Sequence, residues 1–252
     1  MRSRATAPPL AMVRAVRPRP QLVLLDVDFT LIRPRRVFDA SGYAELGARF
    51  GAQLEPDRYE QARLDALHVW RVATLEHRSA QQRLFAIEIV RRMGATAAEA
   101  EAIGDAAEEA WCDPGNFELF PDVEPLLEVL RAYGCTVGLV SNTDRELGPF
   151  ASELGISVDF ALASRAHGRR KPCTTIFAAA LALGGAAPEA AVMVGDSLDD
   201  DIAGAVGSGL RAVLVDRFGR YPEHPGERIG GLDELPPLLG LETPAAAPPA
   251  SA

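Results

Sequence analysis

Residues 22–34 read LVLLDVDFTLIRP: four apolar residues, Leu22 to Leu25, run directly into two carboxylates, Asp26 and Asp28, with Thr30 just beyond. An apolar run without polar alternation is how a strand reads when both of its faces are covered. Placing two acids at the end of such a run is costly, so they mark either a polar turn or a paired catalytic site. The same apolar pattern returns in CTVGLVSN (135–142), VDFALAS (158–164), AAVMVGD (190–196) and LRAVLVD (210–216). Amphipathic segments separate these runs, among them DVEPLLEVLRAYG (122–134), with Asp122 as N-cap and Gly134 as C-terminal stop. Strand and helix alternate, which predicts an α/β fold with a doubly wound, mainly parallel sheet.

From 36 to 116 the rhythm changes, and only helical pattern remains. The stretch 55–79 reads as one long helix with Pro56 in its first turn and His68, Trp70 and His77 along it. Ser79 is placed to cap a helix over 80–94, and Thr96 with Glu99 forms a capping box for a helix over 96–112. A helical unit, 36–116, is thus inserted after the first strand of a core formed by 21–35 and 117–240. The basic start, 1–20, reads as a disordered arm or as an extension before a true start at Met12. The Pro/Ala-rich 241–252 reads as a disordered tail.

The 252 residues are 48% hydrophobic, enough for a packed core, and no stretch is long and apolar enough to span a bilayer. A formal charge of −9 with dispersed acids argues against nucleic acid as the partner. Cys112, Cys135 and Cys173 are odd in number and widely spaced, forming neither a disulfide framework nor a zinc pattern. A reducing cytoplasm is the expected setting, with each cysteine acting as a small buried or half-buried hydrophobe. Composition leaves the oligomeric state open.

In an open parallel sheet, ligands bind beyond the carboxyl ends of the strands. This sequence places Asp26, Asp28 and Thr30 after the first strand, and Ser141, Asn142 and Thr143 after the second. Asp196, Asp199, Asp200 and Asp201 follow the fourth, and Lys171 precedes a helix that Pro172 can start. Acids converging in one cleft repel unless a cation neutralises them, and Mg²⁺ suits carboxylate, water and phosphate oxygens. Asp26 and Asp196, with the backbone carbonyl of Asp28 and with Asp201, are the expected metal ligands. Lys171 and Ser141, joined by Thr30 and Asn142, are the expected phosphate ligands. Asp26 is then the nucleophile that accepts a phosphoryl group, and Asp28 the general acid and base.

DVDFTL, SN, KP and GDSLDDD, in this order and spacing, resemble the four motifs of the haloacid dehalogenase-like hydrolase superfamily. The resemblance covers about residues 21–216 and implies a Rossmann-like core with a helical cap of the C1 type, in the phosphatase branch. It implies Asp26 as nucleophile, Asp28 as acid and base, Ser141 and Lys171 on phosphate, and Mg²⁺ on Asp196. The last acid of the fourth motif falls on Asp201 with the longer spacing and on Asp200 with the shorter. Asp201 is preferred because IAGA follows it naturally. One departure stands out: the family commonly has glycine where this chain has Phe29, so either the turn adjusts or the ring shapes the leaving-group pocket.

Taken singly, each motif has a plainer reading: DVD as a turn, Asp144 in SNTD as a helix cap, GDSLDDD as a solvated helix start, Lys171 as surface. Asp199 and Asp200 stay in that plainer class. Arg33 to Arg36 read as a solvated linker before an anion-steering patch, and Trp70 as a packing residue first. The expected activity is Mg²⁺-dependent hydrolysis of a small phosphorylated metabolite through an aspartyl-phosphate. The alternatives are a sugar-phosphate mutase using the same residues and a non-catalytic binding protein on the same fold. Phosphonate cleavage would need a cap lysine, and there is none between Arg36 and Asn116.

Overall fold

The computed structural model describes residues 19–70 and 74–241. The terminal stretches expected to lack fixed structure lie almost wholly outside the described residues, and Pro20 and Leu241 at their inner margins are buried.

In chain order the strands are β1 (Leu22–Leu25), β2 (Ile32–Pro34), β3 (Phe117–Leu119), β4 (Thr136–Ser141), β5 (Phe160–Ala163), β6 (Ala191–Gly195), β7 (Arg211–Val215) and β8 (Glu227–Ile229). Six make one parallel sheet in the order β5-β4-β1-β6-β7-β8, while β2 and β3 pair antiparallel beside it. All five strands read from the sequence are present. The three missed ones are three residues each, too short to show a period, and each carries charge: Arg33, Glu118, and Glu227 with Arg228.

β1 is flanked on both sides, with Leu22–Leu25 opposite Thr136–Leu139 of β4 and Ala191–Val194 of β6. The chain runs outward from β1 through β4 and β5, then returns to the other side for β6, β7 and β8. Winding reverses at β1, which opens a crevice beyond its C-terminal end. Val23 and Leu25 face one apolar cluster while Leu22 and Leu24 face the other, and all four are fully buried. Each such side chain contributes roughly 1.5–3 kcal/mol on burial. That is why β1 shows no alternation.

Helices α1 (Ala40–Ala48), α2 (Tyr59–Ala66), α3 (Gln81–Arg92) and α4 (Ala97–Cys112) lie between β2 and β3 in the chain and form an inserted helical cap. The core carries α5 (Val123–Ala132), α6 (Leu147–Glu153), α7 (Ser164–His167), α8 (Thr174–Gly184), α9 (Gly204–Gly207) and α10 (Leu235–Leu238). α3 packs tightly on α4 at Gly104, where an added Cβ would lie 2.5 Å from Ile87 Cγ1.

Several capping expectations hold and others are corrected. Thr96 and Glu99 form the capping box of α4, and Gly134, with φ +67°, ends α5. Asp122 precedes α5, yet its side chain is drawn away to Arg217 and the Leu232 N–H. The long helix over 55–79 does not form: α2 stops at Ala66, and a 3₁₀ turn ends at Trp70. Farther along, residues 75–77 pair with the core, His77 N–H donating to Gly168 O and Arg170 N–H to Leu75 O. His77 is therefore not a helical surface residue. Ser79 does not cap α3 either. The N-cap position is Ala80, with φ +61°, and its N–H goes to Asp144. The helix after Lys171 starts at Thr174, two residues later than Pro172 suggested. Cys135 and Cys173 are buried, but Cys112 at the end of α4 is exposed.

Candidate active site

Asp26 leaves β1 directly into the crevice and is 7% exposed. Its backbone N–H continues the sheet by donating to Val194 O. The turn that follows is tight: Leu31 and Ile32 N–H both return to Val27 O. Phe29 adopts φ +62° in it, the left-handed conformation that glycine takes without strain. The turn thus keeps a glycine-like backbone, and the ring is left 38% exposed.

Lys171 is the pivot of the site. Its ammonium, 1% exposed, donates to Asp26 Oδ1 and Asp201 Oδ1, each at 2.6 Å, and to Val140 O at 2.7 Å. Burial works against its charge, but Asp201 and Asp26 hold its pKa above the ordinary lysine value. Among the 26 Lys and Arg residues of the chain it is the one lysine. The ammonium is a compact point charge with three donors, and a planar guanidinium does not fit three convergent oxygens in the same space.

Carboxylate oxygens of Asp26, Asp196 and Asp201 lie within 4.8 Å of one another. Burial, and repulsion from Asp26, push Asp196 up to about 7, opposed by Arg220, whose Nη2 lies 3.0 Å from Asp196 Oδ2. Burial and the neighbouring carboxylates push Asp201 up to about 8 against the pull of Lys171. Those shifts are the signature of positive charge in short supply. The donor set, all oxygen and net negative, fits a hard divalent cation.

The fourth motif sorts its acids by orientation. Asp201 turns into the cluster and also accepts the Ser197 N–H at 3.0 Å. Gly195 makes room for it, since a Cβ there would meet Asp201 Oδ2 at 2.3 Å. Asp200 turns the other way, to Asn142 at 3.2 Å and Arg170 at 3.1 Å. It is no solvated face residue as expected, whereas Asp199 is exposed.

The remaining expected residues divide by role. Ser141 ends β4 and is buried. Asn142 clamps the Lys171 backbone, accepting its N–H at 2.8 Å and donating to its carbonyl at 3.0 Å. Thr30 is fully buried, and its hydroxyl donates to Asp26 Oδ2 at 3.3 Å. The Thr30 side chain thus supports Asp26, and the Asn142 side chain supports Lys171.

Arg145 was not anticipated. It is 3% exposed, and its Nη1 donates to both Asp28 oxygens, at 2.8 and 2.9 Å, while Nε donates to Trp111 O at the end of α4. The rings of Trp111, Phe117 and Phe150 surround the guanidinium at 4.8, 4.5 and 4.3 Å. Burial raises the Asp28 pKa, and Arg145 opposes the shift. The available signal was a cation at the rim, in the loop after β4.

Asp144 and His77 were also misjudged. Asp144 does not cap α6, which begins after Glu146. It reaches into the cap instead, receiving His77 Nε2 at 2.8 Å and Ala80 N–H at 3.0 Å, while His77 Nδ1 meets Ser164 Oγ at 2.9 Å. Beside this junction lies a small cavity of about 30 Å³, with Trp70, Gln82 and Trp111 on the cap side and Asn142, Thr143 and Arg170 on the core side. Trp70 both packs on Phe85, at 5.5 Å between ring centroids, and walls the cavity. Arg33, Arg35 and Arg36 are paired with Glu118, Phe117 O and Asp39. No helix among the described residues is long and apolar enough to cross a membrane.

Comparison with known proteins places this arrangement. The chain is 36% identical over 121 residues to ribulose-1,5-bisphosphate 5-phosphatase of Halopiger xanaduensis, a match covering 47% of this chain and half the length of that protein. It is 32% identical over 185 residues to phosphoserine phosphatase of Thermus thermophilus, covering 71% of this chain and 70% of that one. A solved HAD phosphatase from Thermococcus onnurineus superposes with a TM-score of 0.62 at 25% identity, covering 88% of this chain and 99% of its own. The profile of the haloacid dehalogenase-like hydrolases matches residues 20–209, and the chain belongs to that family of hydrolases.

Proposed function

We propose that this enzyme is a Mg²⁺-dependent phosphatase that hydrolyses a small phosphorylated metabolite through a phosphoryl group carried on Asp26. The observation that carries the reading is the buried Lys171 ammonium, 2.6 Å from Asp26 and from Asp201, with the Asp196 carboxylate in the same cluster. Relatives named as phosphatases of bisphosphorylated and phosphorylated small molecules support the substrate class.

Asp26, Asp196 and the Asp28 carbonyl would hold the metal, with Asp201 behind them orienting Lys171. The bound ion offsets the negative charge of carboxylates and phosphate. An Asp26 oxygen attacks phosphorus, and the ester P–O bond breaks. Asp28 gives its proton to the leaving oxygen. Water then attacks the phosphorus of the acyl phosphate while Asp28 takes its proton back, releasing phosphate and free Asp26. Ser141 and Lys171 hold the non-bridging phosphate oxygens, so that charge accumulating on them meets fixed donors.

The test is turnover of an aryl phosphate with and without a chelator, in the native chain and in Asp26→Asn. Metal-dependent release that is lost in the folded variant is expected. Near-normal activity of the variant rejects the assignment.

A further inference from the structure

The loop after β7 is built to hold one arginine against the acidic cluster. At its base Asp216, 3% exposed, accepts the backbone N–H groups of Arg220 at 2.7 Å and Tyr221 at 2.9 Å, and Arg228 Nη1 at 3.0 Å. Gly219, with φ +64°, turns the chain between them, its N–H donating to Asp216 O at 3.2 Å. The Arg220 guanidinium lies 5.5 Å from the Phe218 ring and 5.7 Å from the Tyr221 ring, and its Nη2 donates to Asp196 Oδ2 at 3.0 Å. An ion pair whose arginine is half exposed adds little to stability. Its effect is to fix one oxygen of Asp196.

The other acids of the cluster are engaged on both oxygens. Asp26 accepts the Lys171 ammonium on Oδ1 and the Thr30 hydroxyl on Oδ2, and Asp201 accepts Lys171 on Oδ1 and the Ser197 N–H on Oδ2. With Arg220 on Asp196 Oδ2, Asp196 Oδ1 is the one carboxylate oxygen of the cluster that receives no hydrogen bond from the described residues. We propose that Arg220 is a positioning residue that limits Asp196 to ligation through a single oxygen and so tunes the site to Mg²⁺ over Ca²⁺. Mg²⁺ demands near-ideal octahedral geometry, which two oxygens of one carboxylate cannot supply without distortion, whereas Ca²⁺ takes more ligands and accepts bidentate carboxylates. Keeping Asp196 Oδ2 on Arg220 therefore withholds a ligand that only the larger ion could use. This role rests on reading the cluster as a divalent-cation site, as above, and adds the residue that selects among such ions.

The experiment reads ion affinity directly, without turnover. Free Mn²⁺ is followed by electron paramagnetic resonance while Mg²⁺ or Ca²⁺ displaces it from the metal-stripped protein. The native chain is compared with Arg220→Met, whose side chain is of similar length and has no donor. The charge of Arg220 repels both ions alike, so its loss cancels in the ratio of their dissociation constants and only the change in ligation remains. In Arg220→Met, Ca²⁺ should gain on Mg²⁺ by about tenfold, the lower end of what outer partners of metal ligands contribute. The Arg220 side chain is half exposed and the Asp216 contact uses its backbone, so the variant keeps the fold, which circular dichroism checks.

A ratio within about twofold of native overturns the inference even where both affinities shift together, and it leaves the metal site standing. A shift in favour of Mg²⁺ overturns it as well. A native chain that holds no Mn²⁺ overturns the metal reading, and this inference with it.

Discussion

Arg145 Nη1 sits 2.8 and 2.9 Å from the two carboxylate oxygens of Asp28, inside a cage of three aromatic rings. The same guanidinium holds the Trp111 carbonyl at the end of α4, so one side chain ties the candidate acid to the cap. Asp28 can move little while Arg145 stays in place. Arg145→Gln should therefore cut kcat for an alkyl phosphate, which needs a proton on its leaving oxygen, by roughly 10²-fold. For 2,4-dinitrophenyl phosphate, whose leaving group needs none, kcat should change little. Equal losses on both substrates would reduce Arg145 to a packing role.

Lys171→Arg should fail although the charge is kept, because three oxygens converge on one small ammonium. Removal of a single fixed donor of this kind typically costs 10²–10³-fold in kcat, and a loss of about that size is expected. Activity within a few-fold of native would mean that charge alone suffices.

Asp196 and Asp201 make the metal-free protein sensitive to pH. Their folded pKa values, about 7 and about 8, lie above the usual carboxyl value. A raised carboxyl pKa favours the folded state while the group is protonated, and that stability is lost as pH climbs from about 4 through the folded values. Tm without metal should therefore fall between about pH 5 and about pH 8.5, and Mg²⁺ should restore more of it at the upper end. A metal-free Tm that rises over this range contradicts the charge shortage at the cluster.

The Asp144 contacts to His77 and Ala80 pin the start of α3 to the core. Asp144→Ala should speed hydrogen exchange at the amides of the first turn of α3. If exchange there is unchanged, the cap is held by other contacts.

Phe29 can be separated into ring and backbone effects. Phe29→Ala removes the ring and keeps a side chain at φ +62°, whereas Phe29→Gly also relieves the left-handed strain. Relief of about 1–2 kcal/mol, less about 0.5–1 for the extra freedom of glycine when unfolded, should leave the glycine variant the more stable by about 0.5–1 kcal/mol. Chemical denaturation decides it, and an alanine variant of equal or greater stability removes the strain.

The sheet was legible because β1, β4, β6 and β7 are buried on both faces and carry almost nothing polar. Asp26, Lys171, Asp196 and Asp201 were legible because each follows an apolar run or punctuates a loop at the same rim. The pairing of 75–77 with 168–170 was not, since it joins segments about ninety residues apart and no local period reports it. That one contact moved His77 from an imagined helix to the cap–core junction. Arg145 escaped for a different reason: a single cation in a polar loop carries no sign of which carboxylate it will meet, and two of its three cage rings, Trp111 and Phe117, come from α4 and β3, far earlier in the chain. Lys171 offered a signal that spacing did not use, as the only lysine in an arginine-rich chain.

The most direct measurement traps the phosphoryl group on the protein. Enzyme mixed with substrate and Mg²⁺ is quenched in acid, reduced with borohydride and mapped by peptide mass spectrometry. Conversion of Asp26 alone to homoserine is the predicted result, because only an acyl phosphate is reduced to the alcohol. Substrate turnover with Asp26 unmodified at every time point, or with the label on another residue, would contradict the account.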